Sequence, residues 1–308
     1  ATEYFAGLSS ASGITLAGTD ADGNCAVNEV SWIILEAYDQ VRLRQPNLHV
    51  RVCETTDPAF LARCAEVVKR GGGMPAFLND DQVRAALRDD GVPADEAEDY
   101  AVVGCAEWGV PGRSFPAAGA AFVNLPQLVR DAVLEDDGPA PRSADELFER
   151  FAAQLRTRLE EVAEGNNAIE TAHAAHRPTP LMSALVGGCI ASGRDVTRGG
   201  AAYNRAGIQG AGFADVVDCF AALQRCVFED GVDLPRLRRA LETDFEGEEP
   251  LAATLRRAPR YGEDEDTVGP WAARLSALWR DEVRRLPLNR GGRYAAGLWT
   301  MTTHQGFG

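Results

Sequence analysis

The sequence predicts an α/β fold, because short apolar segments alternate along it with longer amphipathic ones. The short segments have the length and apolar content of buried strands, and the longer ones repeat apolar residues at helical spacing. Strands separated by helices pair in parallel, since a parallel pair needs a long crossover connection. Asp57-Pro58 and Ser143 are typical helix starts, and Gly71 and Gly193 are typical helix ends.

The elements follow in order from this pattern. The predicted strands are Ile14–Ala17, His49–Cys53, Ala76–Leu78, Ala101–Gly104 and Leu298–Thr302. The predicted helices are Ala26–Leu43, Pro58–Arg70, Asp80–Arg88, Phe122–Leu134, Ala144–Glu164, Leu181–Gly193, Ala214–Glu229, Pro235–Thr243 and Val268–Arg285. The acidic, proline-containing segment Glu135–Pro141 predicts an exposed connection. No internal repeat interrupts the pattern, so we expect a single domain over residues 1–308.

Composition narrows the classes of function. An apolar fraction of 45% over 308 residues is ordinary for a globular protein with a sizeable core. The net charge of −15 argues against a nucleic-acid surface, which needs clustered Lys and Arg. No apolar run reaches the length of a membrane span, and no signal peptide is visible at Ala1. We therefore expect a cytoplasmic protein that binds neither nucleic acid nor membrane.

The cysteines and histidines predict reduced thiols and no metal site. The 7 cysteines are an odd number, and no two of them form a Cys-x-x-Cys pair. This spacing fits neither a disulfide framework nor a zinc site. His173 and His176 are three residues apart, which can place both on one helix face, but no further ligands are evident. We therefore favour the interpretation that these two histidines lie at a partly exposed helix end.

The segment Gly104-Cys105-Ala106-Glu107, after the apolar run Tyr100–Val103, is where the sequence predicts chemistry. In an extended segment, side chains two residues apart point to the same side, so a thiol and a carboxylate can face one substrate. The turn-rich flank Trp108–Arg113 suits a loop that enters a pocket. If this segment is taken alone, the alternatives to a catalytic role are that Cys105 is a buried cysteine at a strand end and that Glu107 is a solvated loop glutamate.

The surroundings of this segment resemble the glycyl radical enzymes, the superfamily of pyruvate formate-lyase and the diol dehydratases. The matching motifs run through nearly the whole chain in one order, which chance does not explain. They are Ile14–Gly18, Asp22–Asn24, Gln45–Arg51, Gly73–Asp80, Asp99–Glu107, Pro178–Leu181, Gly199–Asn204, Ala258–Gly262, Gly291–Tyr294 and the residues from there to His304.

The resemblance implies a fold. Family members form a ten-stranded α/β barrel from two half-barrels, with two finger loops that carry the catalytic cysteine and the radical glycine. This chain is similar to one half of that barrel, with parallel strands surrounded by helices and the cysteine finger loop inside. We expect the first half-barrel to precede Ala1, which is not Met. We expect the radical glycine, in an Arg-Val-x-Gly-Tyr-like motif absent from this sequence, to follow Gly308.

The resemblance also implies a mechanism of the dehydratase or lyase type. A Cys105 thiyl radical would abstract a substrate hydrogen, and Glu107 would act as the base for elimination of a β-leaving group. Gly104 stands where pyruvate formate-lyase carries a second cysteine, so acyl transfer through adjacent thiols is not expected. A decarboxylase or a formate acetyltransferase-like enzyme is the alternative within the family.

Partners and cofactors follow from the same resemblance. No cofactor is expected to be bound by this chain itself, because the glycyl radical would be installed in another segment by a radical-SAM activating enzyme. The full-length enzyme would be a homodimer acting on a small-molecule substrate, and this chain alone would be inactive.

Four residues are candidates for substrate binding. Trp108 replaces the proline common in eliminating members, and either lines a pocket or only packs the loop. His49 and Arg51 lie on one barrel strand, where a buried charge is either paired or binds an anion. His304 ends the predicted last strand near the barrel mouth, with a structural role as the alternative.

Two alternatives to a glycyl radical enzyme remain open. One is a truncated homologue that is catalytically silent and serves as a binding subunit, for which the surface facing the absent half would be polar. The other is a thiol hydrolase in which Cys105 acts with His173 or His304.

Overall fold

A computed structural model describes residues 12–20, 22–43, 45–104, 106–135 and 138–298. Contacts within the chain separate into two compact units. Unit 1 comprises Ala1–Ala118 and Pro178–Asn204, and unit 2 comprises Gly119–Arg177 and Arg205–Gly308. The single barrel-type domain over residues 1–308 stays a prediction. No helix in the described ranges has both the length and the apolar content to cross a membrane.

Unit 1 is built on a parallel three-stranded sheet in the order β1-β2-β3. The strands are β1 (Gly13–Ala17), β2 (Asn47–Val52) and β3 (Ala76–Asn79), joined by helices α1 (Glu29–Val41) and α2 (Pro58–Lys69). These elements confirm the predicted parallel strands and crossover helices, with ends that move by a few residues. Helix α1 begins where it does because a capping box closes its first turn, and α2 begins at a proline in its first turn.

The sheet of unit 1 has one apolar and one polar face, because side chains alternate along each strand. Leu16, Leu48 and Val50 lie on the apolar face and are buried against the two crossover helices. The helices contribute the buried side chains Leu35, Phe60, Cys64 and Val67 to this cluster. Each fully buried side chain of this size contributes about 1.5–3 kcal/mol to folding. The opposite face carries polar side chains and positions the candidate site.

A short β-hairpin follows helices α3 (Asp80–Asp89) and α4 (Ala94–Glu98). Its strands, β4 (Ala101–Val103) and β5 (Glu107–Gly109), pair antiparallel. The predicted strand to Gly104 is wrong by one residue, because Gly104 has φ of 72° and begins a turn. A left-handed backbone ends an extended strand, and glycine adopts it at little cost.

The predicted helix Leu181–Gly193 is wrong in that the structure divides it in two. Helix α7 (Pro180–Leu185) ends before an extended Val186, and α8 (Cys189–Ser192) starts after Gly188, which has φ of 99°. The glycine pair before α8 breaks the helix, because the backbone N–H of Gly187 is hydrogen-bonded to the Gly112 carbonyl instead.

Asp195 ties the segment after α8 together. Its carboxylate accepts hydrogen bonds from the Ser183 hydroxyl (2.7 Å), the Thr197 hydroxyl (2.6 Å) and the backbone N–H groups of Thr179 and Thr197 (3.0 Å each). Burial opposes ionisation of this carboxyl, but the four donors outweigh it and lower its pKa to about 2.

Unit 2 combines a second sheet with long helices. The sheet has the order β6-β7-β8, and β7 and β8 are parallel. Its strands are β6 (Ser114–Asn124), β7 (Tyr203–Ala211) and β8 (Arg293–Gly297), of which β6 and β7 begin with residues assigned to unit 1. The helices are α5 (Leu125–Leu134), α6 (Ala144–His176), α9 (Phe213–Ala222), a π-helical segment (Leu223–Glu229), α10 (Leu234–Glu242), α11 (Glu249–Leu255) and α12 (Glu265–Arg284).

In unit 2 the predictions differ from the structure mainly at the strands. The predicted helix Phe122–Leu134 begins three residues late in the structure, because its first residues belong to β6. Strands β6 and β7 were not predicted, since both are rich in Ala and Gly, which have low strand propensity. The last strand of the described residues is β8, and the predicted strand Leu298–Thr302 lies outside the described residues except for Leu298.

Aromatic side chains form the centre of the helical layer of unit 2. The rings of Phe220 and Trp271 stack at a centroid distance of 5.3 Å, and Phe148 and Phe151 meet Phe220 at 5.0 and 5.6 Å. Such ring pairs are worth about 0.5–1.5 kcal/mol beyond the area they bury. Helix α6 extends to His176, beyond the predicted end at Glu164, so His173 and His176 lie on its exposed last turn.

Candidate active site

The polar face of the unit 1 sheet holds the hairpin that contains the predicted catalytic segment. The Thr15 hydroxyl accepts a hydrogen bond from the Val102 N–H (2.9 Å). The Asn47 amide donates to the Gly104 carbonyl (3.2 Å), immediately before Cys105 in sequence. These contacts come from strands β1 and β2 and reach the backbone of β4 and of the turn that follows it.

Cys105 lies outside the described residues, and Glu107 is the first residue of β5. Glu107 is half-buried, is paired across the hairpin with Val103, and its Oε2 accepts a hydrogen bond from the Ala106 N–H at 3.0 Å. The expectation of one extended segment from Gly104 to Glu107 is wrong, because Gly104 and Ala106 are turn residues. The alternation of side chains along an extended strand therefore does not apply between Gly104 and Glu107.

Trp108 lies in β5 opposite Val102 and packs against the apolar cluster of the hairpin. The buried members of this cluster are Val83, Leu87, Val92, Ala97, Tyr100 and Val110. This contact supports the packing alternative for Trp108, and its role in substrate binding stays a prediction.

Arg51 is deeply buried and paired with a carboxylate. Its Nε and Nη2 donate to the two oxygens of Asp80 at 2.6 and 3.3 Å, and its Nη1 donates to the Tyr100 carbonyl at 3.3 Å. The guanidinium also lies 4.1 Å from the centre of the Tyr100 ring. Arg84 also forms an ion pair with Asp80, and it contacts Asp81 and Glu98 as well. The structure thus supports the paired alternative for Arg51, and anion or substrate binding by it stays a prediction.

His49 lies between Asn47 and Arg51 on the same face of β2 and is fully buried. Its ring lies against Gly13 of the neighbouring strand, where an added Cβ would stand 3.3 Å from the imidazole Cε1. The hairpin turn is also close, since the same Cβ would be 3.4 Å from the Gly104 carbonyl oxygen. The structure therefore brings His49 to the hairpin, while His304 lies outside the described residues.

Sequence reasoning missed Thr15, Asn47, Asp80 and Tyr100. The signal for Asn47 was the strict alternation of polar and apolar residues along Asn47–Val52, which predicts a polar row on one face. Asp80 directly follows β3, and the carboxyl ends of parallel strands are a usual place for functional side chains. Burial is the main cause that raises the pKa of the Tyr100 phenol, so this side chain stays neutral.

An open cavity of about 600 Å³ adjoins the carboxyl ends of β2 and β3. It is lined by apolar side chains, by the polar residues Glu54, Asn79 and Asp81, and by Cys53, whose thiol is 3.3 Å from the hydroxyls of both Thr55 and Thr56. Burial opposes thiolate formation at Cys53, but the hydroxyl contacts lower its pKa overall. Among the described residues, no group of three or more His, Cys, Asp or Glu side chains is placed to hold a metal ion.

Comparisons with known proteins identify the family of this chain. A family model described as pyruvate formate lyase-like matches residues 1–308. Trans-4-hydroxy-L-proline dehydratase of Clostridioides difficile is 33% identical over 96% of this chain and 39% of its own length. Isethionate sulfite-lyase of Desulfovibrio desulfuricans is 28% identical over 92% of this chain and 35% of its own length.

A solved structure supports the same relationship. A glycyl radical enzyme from Archaeoglobus fulgidus matches with a TM-score of 0.89 and 34% identity, over 96% of this chain and 40% of that one. The chain thus spans about two fifths of the length of these relatives. Its parallel sheets surrounded by helices are those of glycyl radical enzymes. The chain belongs to the pyruvate formate lyase-like family of glycyl radical enzymes.

Proposed function

We propose that this chain supplies the cysteine and the base of a glycyl radical dehydratase or lyase. The observation that carries the proposal is the hairpin whose turn residues Gly104 and Ala106 flank Cys105 in sequence and whose second strand begins at Glu107, held by hydrogen bonds to the polar face of a parallel sheet. The relatives named above are a dehydratase and a sulfite-lyase, and both reactions eliminate a leaving group.

The chemistry is an elimination carried by a hydrogen-atom relay. Cys105 would give the hydrogen atom of its thiol to a glycyl radical when one is present, which breaks the S–H bond and leaves a thiyl radical on the sulfur. The Cys105 sulfur takes a hydrogen atom from the substrate carbon that bears a hydroxyl group, forming an S–H bond and leaving a carbon radical. The Glu107 carboxylate takes the hydroxyl proton, which makes the substrate radical a strong reductant.

The leaving group then departs from the adjacent carbon with its bonding electron pair and takes up the proton from Glu107, which restores the carboxylate. The remaining substrate radical takes the hydrogen atom back from the Cys105 thiol, which restores the thiyl radical. The hydrogen bond from Ala106 to Glu107 Oε2 orients the carboxylate at the turn.

The backbone at Gly104 argues for elimination and against acyl transfer. Acyl transfer through two adjacent thiols needs a cysteine at this position, but Gly104 has φ of 72°. An L-residue pays roughly 1–2 kcal/mol in this left-handed region. The hairpin therefore suits a glycine before Cys105, as the dehydratase and lyase proposal requires.

Exposed apolar side chains on α7 and α8 support a larger assembly. Leu181, Leu185 and Ile190 are 79%, 76% and 79% exposed, and they lie within ten residues of one another in unit 1. Such a patch marks a surface that another protein segment covers. It favours an enzyme that needs further polypeptide over a self-sufficient binding subunit, for which a polar surface was expected.

The remaining parts of the proposal follow from the family. The enzyme would be a cytoplasmic homodimer of anaerobic metabolism, activated by a radical-SAM enzyme, with a small hydroxylated substrate. The chain itself would bind no cofactor and would be inactive alone.

The test is anaerobic turnover by the full-length polypeptide that contains this chain, after activation by its radical-SAM enzyme. The probes are glycerol, 1,2-propanediol and isethionate, in each of which a carbon that bears a hydroxyl group lies next to the carbon that loses the leaving group. Cys105→Ser and Glu107→Gln should abolish elimination of whichever probe is consumed, while Cys53→Ser, the matched control, should retain it. Full turnover by Cys105→Ser would refute the proposal.

A further inference from the structure

The hairpin is attached to the sheet by three hydrogen bonds with a regular spacing. The backbone groups involved are the Tyr100 carbonyl, the Val102 N–H and the Gly104 carbonyl, which are every second residue along β4 and its ends. In a strand, the backbone groups of alternate residues point to the same edge. The backbone groups on the edge of β4 that does not pair with β5 therefore form hydrogen bonds with side chains instead of with another strand.

The partners of these groups are equally regular. Arg51 donates to the Tyr100 carbonyl and Asn47 donates to the Gly104 carbonyl. The two donors are four residues apart on β2, and the two acceptors are four residues apart on the hairpin, in the opposite direction. Strands rise about 3.3 Å per residue, so the two spacings match. The middle contact comes from Thr15 on β1, which lies beside His49 in the parallel register. We name Thr15, Asn47 and Arg51, with the backbone groups they hold, the side-chain ladder.

We propose that Asn47 and Thr15 are positioning residues that fix the turn carrying Cys105 and Glu107. The proposal rests on the proposed function for its catalytic meaning. Asn47 is buried and acts at the residue directly before Cys105, so its loss frees the turn on that side. Thr15 holds Val102, two residues further from the turn, so its loss should have a smaller effect in the same direction.

A close approach of the sheet to the turn supports a positioning role. Gly13 is paired with Asn47 in the parallel register. A Cβ at Gly13 would stand 3.4 Å from the Gly104 carbonyl oxygen and 3.3 Å from the His49 ring. The turn therefore contacts the sheet at Gly13 and Asn47. There a residue without a side chain lies beside an amide group that donates a hydrogen bond to the turn.

The first test needs no catalysis. The accessibility of the Cys105 thiol is measured by its rate of alkylation with iodoacetamide, with peptide mass spectrometry separating it from Cys53 of the same unit. We expect Asn47→Ala to raise the Cys105 rate about fivefold, the size expected for local opening after loss of one hydrogen bond, and to leave the Cys53 rate unchanged. Thr15→Val should raise it by about twofold to threefold.

The control is Thr19→Val, the same change in the same unit, which removes a 3.4 Å contact to Glu98 away from the turn. It should leave the Cys105 rate unaltered. An unchanged Cys105 rate in Asn47→Ala would overturn the proposal. A parallel rise at Cys53 and Cys105 would do the same, because it would show general loss of stability rather than release of the turn.

The second test uses the activated full-length enzyme. Asn47→Ala should lower kcat about 10- to 100-fold with KM within twofold of wild type, because a misplaced reacting group slows chemistry more than binding. Equal losses in kcat and substrate affinity would contradict positioning. Turnover by Cys105→Ser would refute the proposed function alone, and the alkylation rates would still decide whether the ladder holds the turn.

Discussion

The buried ion pair between Arg51 and Asp80 gives the sharpest stability prediction. Asp80 is fully buried, and both of its oxygens accept from the Arg51 guanidinium. In Asp80→Asn one of these oxygens becomes an NH₂ group that faces another donor. Breaking a buried pair from one side costs about 3–5 kcal/mol, because the other charge stays buried.

The contacts that remain place the expected cost at the lower end of that range. Arg51 keeps its hydrogen bond to the Tyr100 carbonyl and its position over the Tyr100 ring, which retains about 0.5–2 kcal/mol of cation–π attraction. We therefore expect Asp80→Asn to lower the free energy of unfolding by about 3 kcal/mol. The assay is urea unfolding of the chain at neutral pH.

Glu36→Gln is the matched control for this measurement. Glu36 also pairs with an arginine, Arg63, at 2.7 Å, but its side chain is 43% exposed and Arg63 keeps a second contact to Asp39. We expect Glu36→Gln to lower the free energy of unfolding far less than Asp80→Asn does, because solvent screens exposed pairs. Equal costs for Asp80→Asn and Glu36→Gln would refute the claim that the buried pair holds this end of the sheet.

Three further predictions concern pH, thiol reactivity and the exposed patch. Asp195 has its pKa lowered from 3.8 to about 2, so its contribution to stability is present above about pH 4 and is lost as the pH falls towards 2. Asp195→Asn should reduce the difference in the free energy of unfolding between pH 5 and pH 2.5 by about 1–2 kcal/mol, measured by urea unfolding. An identical pH dependence in the wild-type chain and the variant would contradict this. Cys53 should be alkylated well before Cys64 at pH 8, because burial raises the pKa of Cys64 to about 11 while the pKa of Cys53 is lowered. The labelling of each thiol is followed by mass spectrometry, and faster labelling of Cys64 would overturn this prediction. Leu185→Glu should change the unfolding free energy by less than about 0.5 kcal/mol and reduce binding of the dye ANS, and a large destabilisation would show that the exposed patch is not a docking surface.

Local patterns in the sequence were sufficient for the framework of unit 1. The alternation in Asn47–Val52 and the cap at Asp57-Pro58 set the parallel strands and crossover helices, because each depends on neighbouring residues only. Strands β6 and β7 escaped prediction because their Ala- and Gly-rich sequences form strands through sheet pairing rather than through propensity.

The chemistry of the site was predicted more fully than its geometry. Cys105 and Glu107 stand out by type and spacing, but the turn at Gly104 replaces the extended segment that the spacing suggested. The partners of Arg51 could not be foreseen, because Asp80 and Tyr100 reach it only through tertiary packing. The ladder that holds Gly104 likewise joins residues 57 positions apart in sequence.

Transfer of deuterium by the activated full-length enzyme tests the central claim most directly. The substrate would carry deuterium on the carbon that bears the hydroxyl group. If Cys105 relays the hydrogen atom, deuterium appears in the product at the carbon that lost the leaving group, and turnover is slower than with unlabelled substrate. Product without deuterium at that carbon, formed at an unchanged rate, would contradict the account.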